Sequence, residues 1–343
     1  MEFRARTPLR ISFAGGGTDV SPYSDKFGGA VLCSTIDKFA YSSLVPTQSQ
    51  GIKLHAKDLQ LKEILRTKGK AFDLKYGKGP DLLKAMLKIM KPTKKKFEIT
   101  TWCDVPPGSG LGASSAIMIS QISCLSEFLG KKPSTYELAK LAFRIEREEL
   151  KIKGGLQDQY ACTFGGFNFI EFKGKSATVT PLRLPSEVLN ELSSSLLLID
   201  TQITRSSSQI INSQIKNYTS SEVIDVLDEM KKLAFKSKDL IIKGKLTELG
   251  ESLDYSWNLK KSVEKTISNN HINKLYDLAK KFGCIGGKIL GAGGGGHLLL
   301  FVKPEKKIDL IKKMESLKCR NIPFSFVNEG SQSWKIKNQS VEF

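Results

Sequence analysis

The segment from Pro106 to Ser115 constrains this chain most, because it places three glycines in the short stretch between a strand and a helix. Residues 97–105 alternate between apolar and polar side chains, which predicts a strand with one buried face. Apolar residues then recur at helical spacing from Met118 to Leu129, which predicts a helix. Glycines at such a junction let backbone N–H groups converge at the positive end of the helix dipole. The sequence therefore predicts an anion-binding loop here.

The same glycines also fit a second class of site. Gly108, Gly110 and Ala113 match the dinucleotide-binding fingerprint, and Glu127 lies near the expected acidic position. However, a strand of a doubly wound parallel sheet is usually apolar throughout, whereas residues 97–105 alternate. No strand-helix-strand unit repeats after the loop. A phosphate loop outside the dinucleotide class is therefore favoured, with the dinucleotide interpretation as its alternative.

Signatures of the common nucleotide-binding enzymes are missing from the sequence. Gly174-Lys175-Ser176 has the ending of a Walker A motif, but Phe169 stands where that motif needs glycine. Neither the HRD nor the DFG sequence of protein kinases occurs. A phosphotransferase built on this chain must therefore belong to another class.

Two more glycine-rich segments lie on either side of the loop along the chain. Residues 6–14 predict a strand that runs into glycines at 15–17 and a Thr-Asp pair at 18–19. Five glycines lie within 291–296, directly before the apolar strand predicted at 297–302. Consecutive glycines cost conformational entropy and are tolerated where the backbone must approach another group closely. A capped turn is the alternative for the first segment and a flexible linker for the second, although the following strand favours an ordered turn.

Composition limits the class of protein. A chain of 343 residues fits two globular domains. It contains no run of about 18 apolar residues and its N-terminus lacks the apolar core of a signal peptide, so we expect a cytoplasmic protein without a membrane partner. The six cysteines form no CxxC pair and only three histidines are present. We therefore expect reduced thiols rather than a zinc site or a disulfide framework.

The net charge of +18 can indicate nucleic acid, an anionic membrane or a phosphorylated substrate. Most lysines are spread along the chain, the densest run lies at 91–96, and no RNA-binding or zinc-finger motif occurs. A solvated basic surface is therefore the favoured interpretation, with attraction of a polyanionic substrate second. A nucleic-acid partner is not expected, because only the net charge suggests one.

Pro181 to Pro185 predicts a boundary between domains at 1–180 and 181–343. In the first domain we predict a helix at 81–91, a helix from Ser134 to about Leu150 opened by a capping box with Glu137, and a strand at 167–172. In the second we predict strands at Leu196–Asp200 and 297–302, helices over 208–283 and near 305–317, and a last strand near 323–327.

In this order and spacing, the three glycine segments resemble the GHMP kinases, the family of galactokinase, homoserine kinase, mevalonate kinase and phosphomevalonate kinase. The resemblance covers nearly the whole chain. Residues 10–19, 154–160 and 288–295 are most similar to the branch that phosphorylates C1 of D-glycero-D-manno-heptose 7-phosphate for nucleotide-activated heptose and surface polysaccharide.

The resemblance implies an α+β fold of two domains, the first ribosomal S5 domain 2-like and the second ferredoxin-like, with the active site between them. It implies ATP and a sugar phosphate as substrates and Mg²⁺ as the metal. Alternatives are a kinase for a free sugar such as fucose or for another small alcohol, and a non-catalytic sensor on the same scaffold. The oligomeric state, monomer or homodimer, stays open.

The resemblance also implies roles for individual residues. Asp158 falls on the catalytic base and Arg10 on the basic residue beside the transferred phosphate. Glu146 and either Ser114 or Ser115 fall on the metal ligands. The implied nucleotide-binding residues are Pro107, Gly108, Ser109, Gly110, Leu111, Gly112, Ala113, Ser114, Ser115, Gly293 and Gly294, and the implied substrate-binding residues are Gly16, Gly17, Thr18, Asp19, Gly155, Arg205 and Lys288.

A second phosphate on the sugar would need cations of its own. Arg205, Lys153 and Lys288 are the candidates. Residues 204–208 are equally typical of a helix start with capping serines. We predict that His297 packs at the start of its strand.

Overall fold

The computed structural model describes residues 1–49, 51–65, 74–77, 79–94, 96–204 and 207–337. In chain order the elements are β1 (Glu2–Ala14), α1 (Tyr23–Phe27), β2 (Gly29–Pro46), β3 (Ile52–Ala56), β4 (Leu61–Leu65), α2 (Asp81–Met90), β5 (Phe97–Cys103), α3 (Ala113–Leu129), α4 (Thr135–Phe143), α5 (Gln157–Phe164), β6 (Phe167–Lys173), β7 (Ser176–Pro181), α6 (Ser186–Ser195), β8 (Leu196–Asp200), α7 (Ser207–Asn217), α8 (Ser221–Ile242), α9 (Leu246–Val263), α10 (Asn270–Lys281), β9 (Cys284–Ile289), β10 (His297–Val302), α11 (Lys307–Ser316), β11 (Arg320–Asn321) and β12 (Gln332–Ile336). A π-helical segment at Arg144–Glu149 continues α4, and 3-10 turns lie at Lys265–Ile267 and Pro304–Lys306.

The first sheet has the order β12-β1-β2-β5-β3-β4, and β6 and β7 extend it from β2. The long strand β2 makes this branching possible, because its first part pairs with β6 and its last part with β5. All neighbours are antiparallel except β3 and β5. The alternation read in 97–105 is confirmed: in β5, Phe97, Ile99 and Thr101 are buried while the residues between them are partly exposed.

Helix α3 packs against β1, β2 and β5 on one side and against α2, α4 and α5 on others. Surrounded in this way, it is apolar around most of its circumference, and almost all of its residues are buried. The helix that carries the predicted anion-binding loop at its start is thus fixed within the core of the first half.

The second sheet is fully antiparallel, in the order β11-β8-β10-β9. Helices α8 and α9 pack on each other, α9 and α10 contact β9, and α8 and α9 also contact β1. The core of this half includes Trp257, whose side chain is fully buried. The expected α+β class is confirmed, and the described residues form two sheets.

Most predicted elements of both halves are present. Ser134 and Glu137 form the predicted capping box, and the helix they open runs to Glu149 with its last part in π-helical geometry. The strands at Leu196–Asp200 and His297–Val302 are confirmed.

The prediction of a last strand near 323–327 is wrong. Within that stretch Phe326 forms only an isolated bridge with Ile36. The alternating apolar residues are used for packing instead, since the Phe326 ring lies 4.7 Å from that of Phe167 and 5.6 Å from that of Phe324. The last strand among the described residues is β12, which pairs antiparallel with β1 of the first sheet. The division at 180/181 stays a prediction, but the end of the described chain returns to the first sheet.

None of the helices within the described residues is both long and apolar enough to span a membrane.

Candidate active site

A cavity of about 320 Å³ is lined by residues from both halves of the chain, a volume within the range of small-molecule sites. Eight of the nine predicted loop residues line it, namely Pro107, Gly108, Ser109, Gly110, Gly112, Ala113, Ser114 and Ser115. The ninth, Leu111, is fully buried in the hydrophobic core and anchors the loop there.

The loop needs glycine for two physical reasons. Gly108, Gly110 and Gly112 have φ of 81°, 80° and 77°, in the left-handed region that side chains disfavour. In addition, a Cβ on Gly110 would lie 2.5 Å from the carbonyl oxygen of Leu290. The loop leads directly into α3, whose N-cap, Gly112, has no side chain to cap the first N–H groups. These N–H groups and the helix dipole form an anion site facing the cavity.

His297, which directly follows the third glycine segment, contacts the backbone of this loop. The His297 backbone N–H donates to the Ser109 carbonyl at 3.1 Å, and His297 Nδ1 lies 2.7 Å from the same oxygen. Burial lowers the pKa of His297, so a neutral ring that donates from Nδ1 fits this position. As predicted, His297 packs at the start of its strand, where it is buried.

Glu146 is the centre of a buried cluster of oxygen ligands. Its two carboxylate oxygens accept hydrogen bonds from Ser114 Oγ at 2.9 Å and Ser115 Oγ at 2.7 Å. Gln159 Nε2 donates to Glu146 Oε2 at 2.6 Å and to Ser115 Oγ at 3.0 Å. Glu146 lies in the π-helical segment, a geometry often found at functional sites. The sequence analysis missed Gln159. It directly follows Asp158, and only the geometry shows that its side chain contacts Glu146.

This cluster suits a magnesium ion. Mg²⁺ prefers oxygen ligands and is typically held by one or two carboxylates together with substrate phosphates. Glu146 and the two serine hydroxyls provide such oxygens beside the anion-binding loop. Among the described residues there is no group of three or more His, Cys, Asp or Glu side chains that could hold a metal, so Glu146 is the one carboxylate of this cluster.

Asp158 and Arg10 form an ion pair at the cavity wall. Asp158 Oδ1 accepts from Arg10 Nε at 2.8 Å and lies 2.7 Å from Nη2. Arg10 is buried, and its Nη1 donates to the Gly110 carbonyl at 2.5 Å. Although burial alone would lower it, the nearby Asp158 carboxylate raises the pKa of Arg10 above its usual value. Arg10 therefore ties Asp158, in the first turn of α5, to the anion-binding loop.

Asp19 is the second carboxylate that lines the cavity from this side. Its Oδ1 accepts from the Gly17 N–H at 3.1 Å and its Oδ2 from the Gln157 N–H at 3.0 Å. Gly155 has to be glycine, because a Cβ there would lie 1.9 Å from Asp19 Oδ2. Burial raises the pKa of Asp19, and these N–H groups partly oppose the shift. The structure thus brings Asp19, Gly17 and Gly155 together.

Other predicted residues lie elsewhere. Thr18 is fully buried and donates to the Gly15 and Ala30 carbonyls at 2.8 and 3.1 Å, so it shapes the turn behind Asp19. Gly293 packs on Ile267, and the Gly294 N–H donates to the Ile267 carbonyl at 2.6 Å. The described lining residues from this segment are Gly291 and Ala292 instead.

The three candidate cations for a second phosphate have different positions. Lys153 lines the cavity but is exposed. Lys288 is buried away from the lining residues, where its Nζ lies 3.3 Å from the Phe13 carbonyl and 3.4 Å from Ser256 Oγ. Burial lowers its pKa to about 8. Arg205 lies outside the described residues.

Two cations that the sequence analysis did not select also line the cavity. Arg147 donates to the Gly155 carbonyl at 3.2 Å and lies 4.0 Å from Glu146. Lys260 of α9 is 5% exposed and donates to the Gly291 carbonyl. No motif identifies Lys260, because one lysine among many on amphipathic helices carries no distinguishing pattern.

Comparison with known proteins places this site in a family. The chain matches the N-terminal domain of the GHMP kinases over residues 81–166 and their C-terminal domain over residues 237–316. It is 37% identical over 344 residues to the D-glycero-alpha-D-manno-heptose 7-phosphate kinase of Campylobacter jejuni, covering 97% of this chain and 99% of that protein. It is 28% identical to the L-fucokinase/L-fucose-1-P guanylyltransferase of Bacteroides fragilis over 94% of this chain, but spans only 37% of that longer protein.

Solved structures agree in fold. A D-glycero-D-manno-heptose 1-phosphate kinase from Bacteroides thetaiotaomicron has a TM-score of 0.82 and 31% identity, covering 98% of this chain and 100% of that one. A putative sugar kinase from Campylobacter jejuni has a TM-score of 0.80 and 36% identity, covering 98% of each chain. With both domains matched and one relative similar over almost its full length, the chain belongs to the GHMP kinase family.

Proposed function

We propose that this chain is an ATP-dependent sugar kinase that phosphorylates the C1 hydroxyl of D-glycero-D-manno-heptose 7-phosphate. The observation that carries the proposal is the convergence on one cavity of an anion-binding loop, the Glu146 cluster and the Asp158–Arg10 pair. The similarity to a heptose 7-phosphate kinase over nearly both full lengths supports the choice of substrate.

In this mechanism the loop holds the ATP phosphates. The unpaired N–H groups at the start of α3 bind the β- and γ-phosphates, and the helix dipole favours their negative charge. Glu146 with Ser114 or Ser115 would hold Mg²⁺, which neutralises phosphate charge when it is bound. Gln159 keeps the Glu146 carboxylate oriented toward the two serines.

Asp158 acts as the base. It accepts the proton of the C1 hydroxyl while the hydroxyl oxygen forms its bond to the γ-phosphorus, the bond to the β-γ bridging oxygen breaks, and ADP leaves. An anomeric hydroxyl is more acidic than an ordinary alcohol, so a carboxylate is sufficient as the base. Arg10 fixes Asp158 through two contacts and places positive charge next to Gly110, where the transferred phosphate passes.

Asp19 fixes the acceptor. Its carboxylate accepts hydrogen bonds from sugar hydroxyls and is kept in place by the N–H groups of Gly17 and Gln157. We further propose that the reaction takes place in the cytoplasm and that the product is a precursor of nucleotide-activated heptose for surface polysaccharide.

A kinase for a free sugar is the second candidate, because the chain is 28% identical to an L-fucokinase over 94% of its length. A non-catalytic sensor is less well supported, since the loop, Glu146 and Asp158 are all present.

The test is ATP consumption with Mg²⁺ against heptose 7-phosphate, sedoheptulose 7-phosphate, mannose 6-phosphate, mannose, fucose and galactose, with phosphorus NMR of the product. We expect a new anomeric phosphate on heptose 7-phosphate alone. Turnover only on a free sugar would support the second candidate, and no turnover across the panel would support a sensor.

A further inference from the structure

We propose that the side-chain amide of Gln157 binds a hydroxyl of the acceptor sugar beside Asp19, in a small niche over Gly16. The inference rests on the proposed function, because it requires an acceptor with several hydroxyls in this cavity. It assigns a substrate contact to a residue that directly precedes Asp158 but was not selected as a site residue from the sequence.

The backbone of Gln157 fixes its position relative to both carboxylates. Its N–H donates to Asp19 Oδ2 at 3.0 Å, and Gln157 and Asp19 both line the cavity. Asp158 is the next residue of α5 and lines the same cavity. Gln157 therefore contacts the carboxylate proposed to bind sugar hydroxyls and adjoins the proposed base.

The side-chain amide of Gln157 has no hydrogen-bond partner among the described residues. Its Oε1 is buried and unpaired, and its Nε2 makes no hydrogen bond within this part of the chain. Most buried polar groups are paired, so an unpaired amide in a cavity wall points to a partner that the chain itself does not supply. An ionised carboxylate such as Asp19 only accepts, whereas an amide also donates. Together the two side chains offer both kinds of partner that sugar hydroxyls need.

Gly16 leaves free space beside this amide. Gly15 and Gly17 have φ of 80° and 111°, and a Cβ on Gly15 would lie 1.8 Å from the Ala30 carbonyl oxygen. Gly16 has neither constraint, since its φ lies outside the left-handed region and its Cβ would meet no atom closer than 3.5 Å beyond its chain neighbours. The fold would therefore accept alanine at position 16, so the space is free for a ligand.

Two unpaired polar groups flank this space, which we call the Gly16 niche. A Cβ on Gly16 would lie 3.5 Å from Ser12 Oγ and 3.6 Å from Gln157 Nε2. Ser12 Oγ is buried and, like Gln157 Oε1, has no partner among the described residues. Gly16 lines the cavity. A hydroxyl that enters the niche from the cavity can accept from Gln157 Nε2 and donate to Ser12 Oγ.

A site of this kind makes binding depend on one particular hydroxyl of the acceptor. Because Gln157 adjoins Asp158, the hydroxyl it binds is one near the reacting C1, on C2 or C3 of the sugar. An acceptor without that hydroxyl leaves the amide unpaired and binds more weakly.

The test measures KM and kcat for D-glycero-D-manno-heptose 7-phosphate and for its 2-deoxy and 3-deoxy derivatives, in the unmodified protein and in Gln157→Leu. Loss of one neutral hydrogen bond should raise the acceptor KM of Gln157→Leu by about 3- to 10-fold, with KM for ATP unchanged. On the derivative that lacks the contacted hydroxyl, Gln157→Leu should cause no such rise, because the bond is already absent there.

Gln121→Leu is the matched control. Gln121 also has a buried, unpaired Oε1, but it does not line the cavity. Its replacement should leave the acceptor KM unchanged for all three sugars. The same rise in KM in both variants would overturn the inference, because an unpaired buried amide would then act without contact to the sugar.

Gly16→Ala tests the niche without removing a polar group. Its methyl group fits the free space, so we expect an unchanged melting temperature and a rise in acceptor KM as in Gln157→Leu. If Gln157→Leu fails to fold, Gly16→Ala decides, and an unchanged acceptor KM in it would refute the inference. Two further results would overturn it: a lower melting temperature of Gln157→Leu with an unchanged acceptor KM, which indicates an ordered water only, and an equal rise in KM for all three sugars.

Failure of the proposed function looks different from failure of the inference. If the unmodified protein phosphorylates only a free sugar, the proposed substrate is wrong, and the same variants on that sugar and its deoxy derivatives decide the role of Gln157. If it phosphorylates no sugar, both are refuted. If it phosphorylates heptose 7-phosphate and Gln157→Leu keeps the same acceptor KM, only the role of Gln157 is refuted.

Discussion

The proposed donor side and the proposed acceptor side of the cavity are built in different ways. The donor side consists of one continuous loop, Pro107–Ser115, together with Glu146 and Gln159 around the start of α3. The proposed acceptor side brings together Asp19 and Gly155, which are widely separated along the chain. The comparison shows that a site on one helix start leaves a local sequence pattern, whereas a site assembled by tertiary packing does not.

Asp158 stands where the two sides meet, so its replacement should have the largest effect. Asp158→Asn removes the base while keeping the size of the side chain, and we expect kcat to fall by about 10²- to 10⁴-fold with little change in ATP affinity. Steady-state kinetics and nucleotide binding would measure the two separately. Glu148→Gln, at an exposed carboxylate that pairs with Lys175, should leave both unchanged. Near-normal turnover of Asp158→Asn would refute the assignment of the base.

Replacement of Gly110 tests the phosphate loop. In Gly110→Ala the new Cβ would meet the Leu290 carbonyl at 2.5 Å, so the loop has to move and ATP affinity should fall by about 10-fold or more. Gly130→Ala is the matched control, with φ of 68° but no atom within 4 Å of its Cβ. It should cost about 1 kcal/mol of unfolding free energy and leave ATP binding unchanged. Equal ATP binding by the two variants would show that the clash does not matter.

Gln159 tests whether the donor side depends on residues outside its motif. Gln159→Leu removes the amide that orients Glu146, so we expect the Mg²⁺ concentration for half-maximal rate to rise by about 10- to 100-fold. The acceptor KM should not change. The control is Gln121→Leu, which replaces a buried glutamine of α3, whereas Gln159 belongs to α5. A loss of stability in Gln159→Leu without a change in Mg²⁺ dependence would mean that Gln159 only packs.

The smallest expected effect concerns Asp19 and pH. Because burial raises its pKa, Asp19 takes up a proton at higher pH than an ordinary carboxyl group. The acceptor KM should therefore rise by a few-fold as pH falls through that raised pKa, while ATP affinity stays constant. Asp19→Asn should have a high acceptor KM at every pH without this rise. The same slope in both proteins would assign the titration to another group.

The raised pKa of Asp19 also makes its contribution to the stability of the fold depend on pH. The folded-state pKa of Asp19 lies above its usual value of 3.8, so the folded protein binds this proton more tightly than the unfolded chain. The contribution of Asp19 to stability therefore decreases as pH rises from that usual value through the raised one.

Sequence alone predicted the strand, the glycine loop and the helix that form one wall of the cavity. The positions of Gly108, Gly110 and Gly112 follow from their left-handed φ, and the alternation in β5 and the apolar α3 follow from burial. Glu146 and Asp158 followed from the family resemblance. These features depend on neighbours along the chain or on motif spacing, so one sequence can show them.

The remaining features depended on tertiary contacts. The sequence does not show whether Gly293 and Gly294 face a ligand or pack on Ile267. It also does not show that Lys260 lines the cavity whereas Lys288 is buried outside it. The stretch 323–327 alternates like a strand but packs its phenylalanine rings without forming one. In each case burial and partners, rather than residue type, decided the outcome.

Strands β1 and β12 are paired in the first sheet although more than 300 residues separate them along the chain. The strand that completes one edge of the first sheet is supplied by residues 332–336, after the whole second half has been made. A protein cut near residue 180 would therefore leave the backbone of β1 exposed along that edge, and exposed edges promote association between chains. During synthesis this edge of the first sheet can be completed only when β12 has left the ribosome.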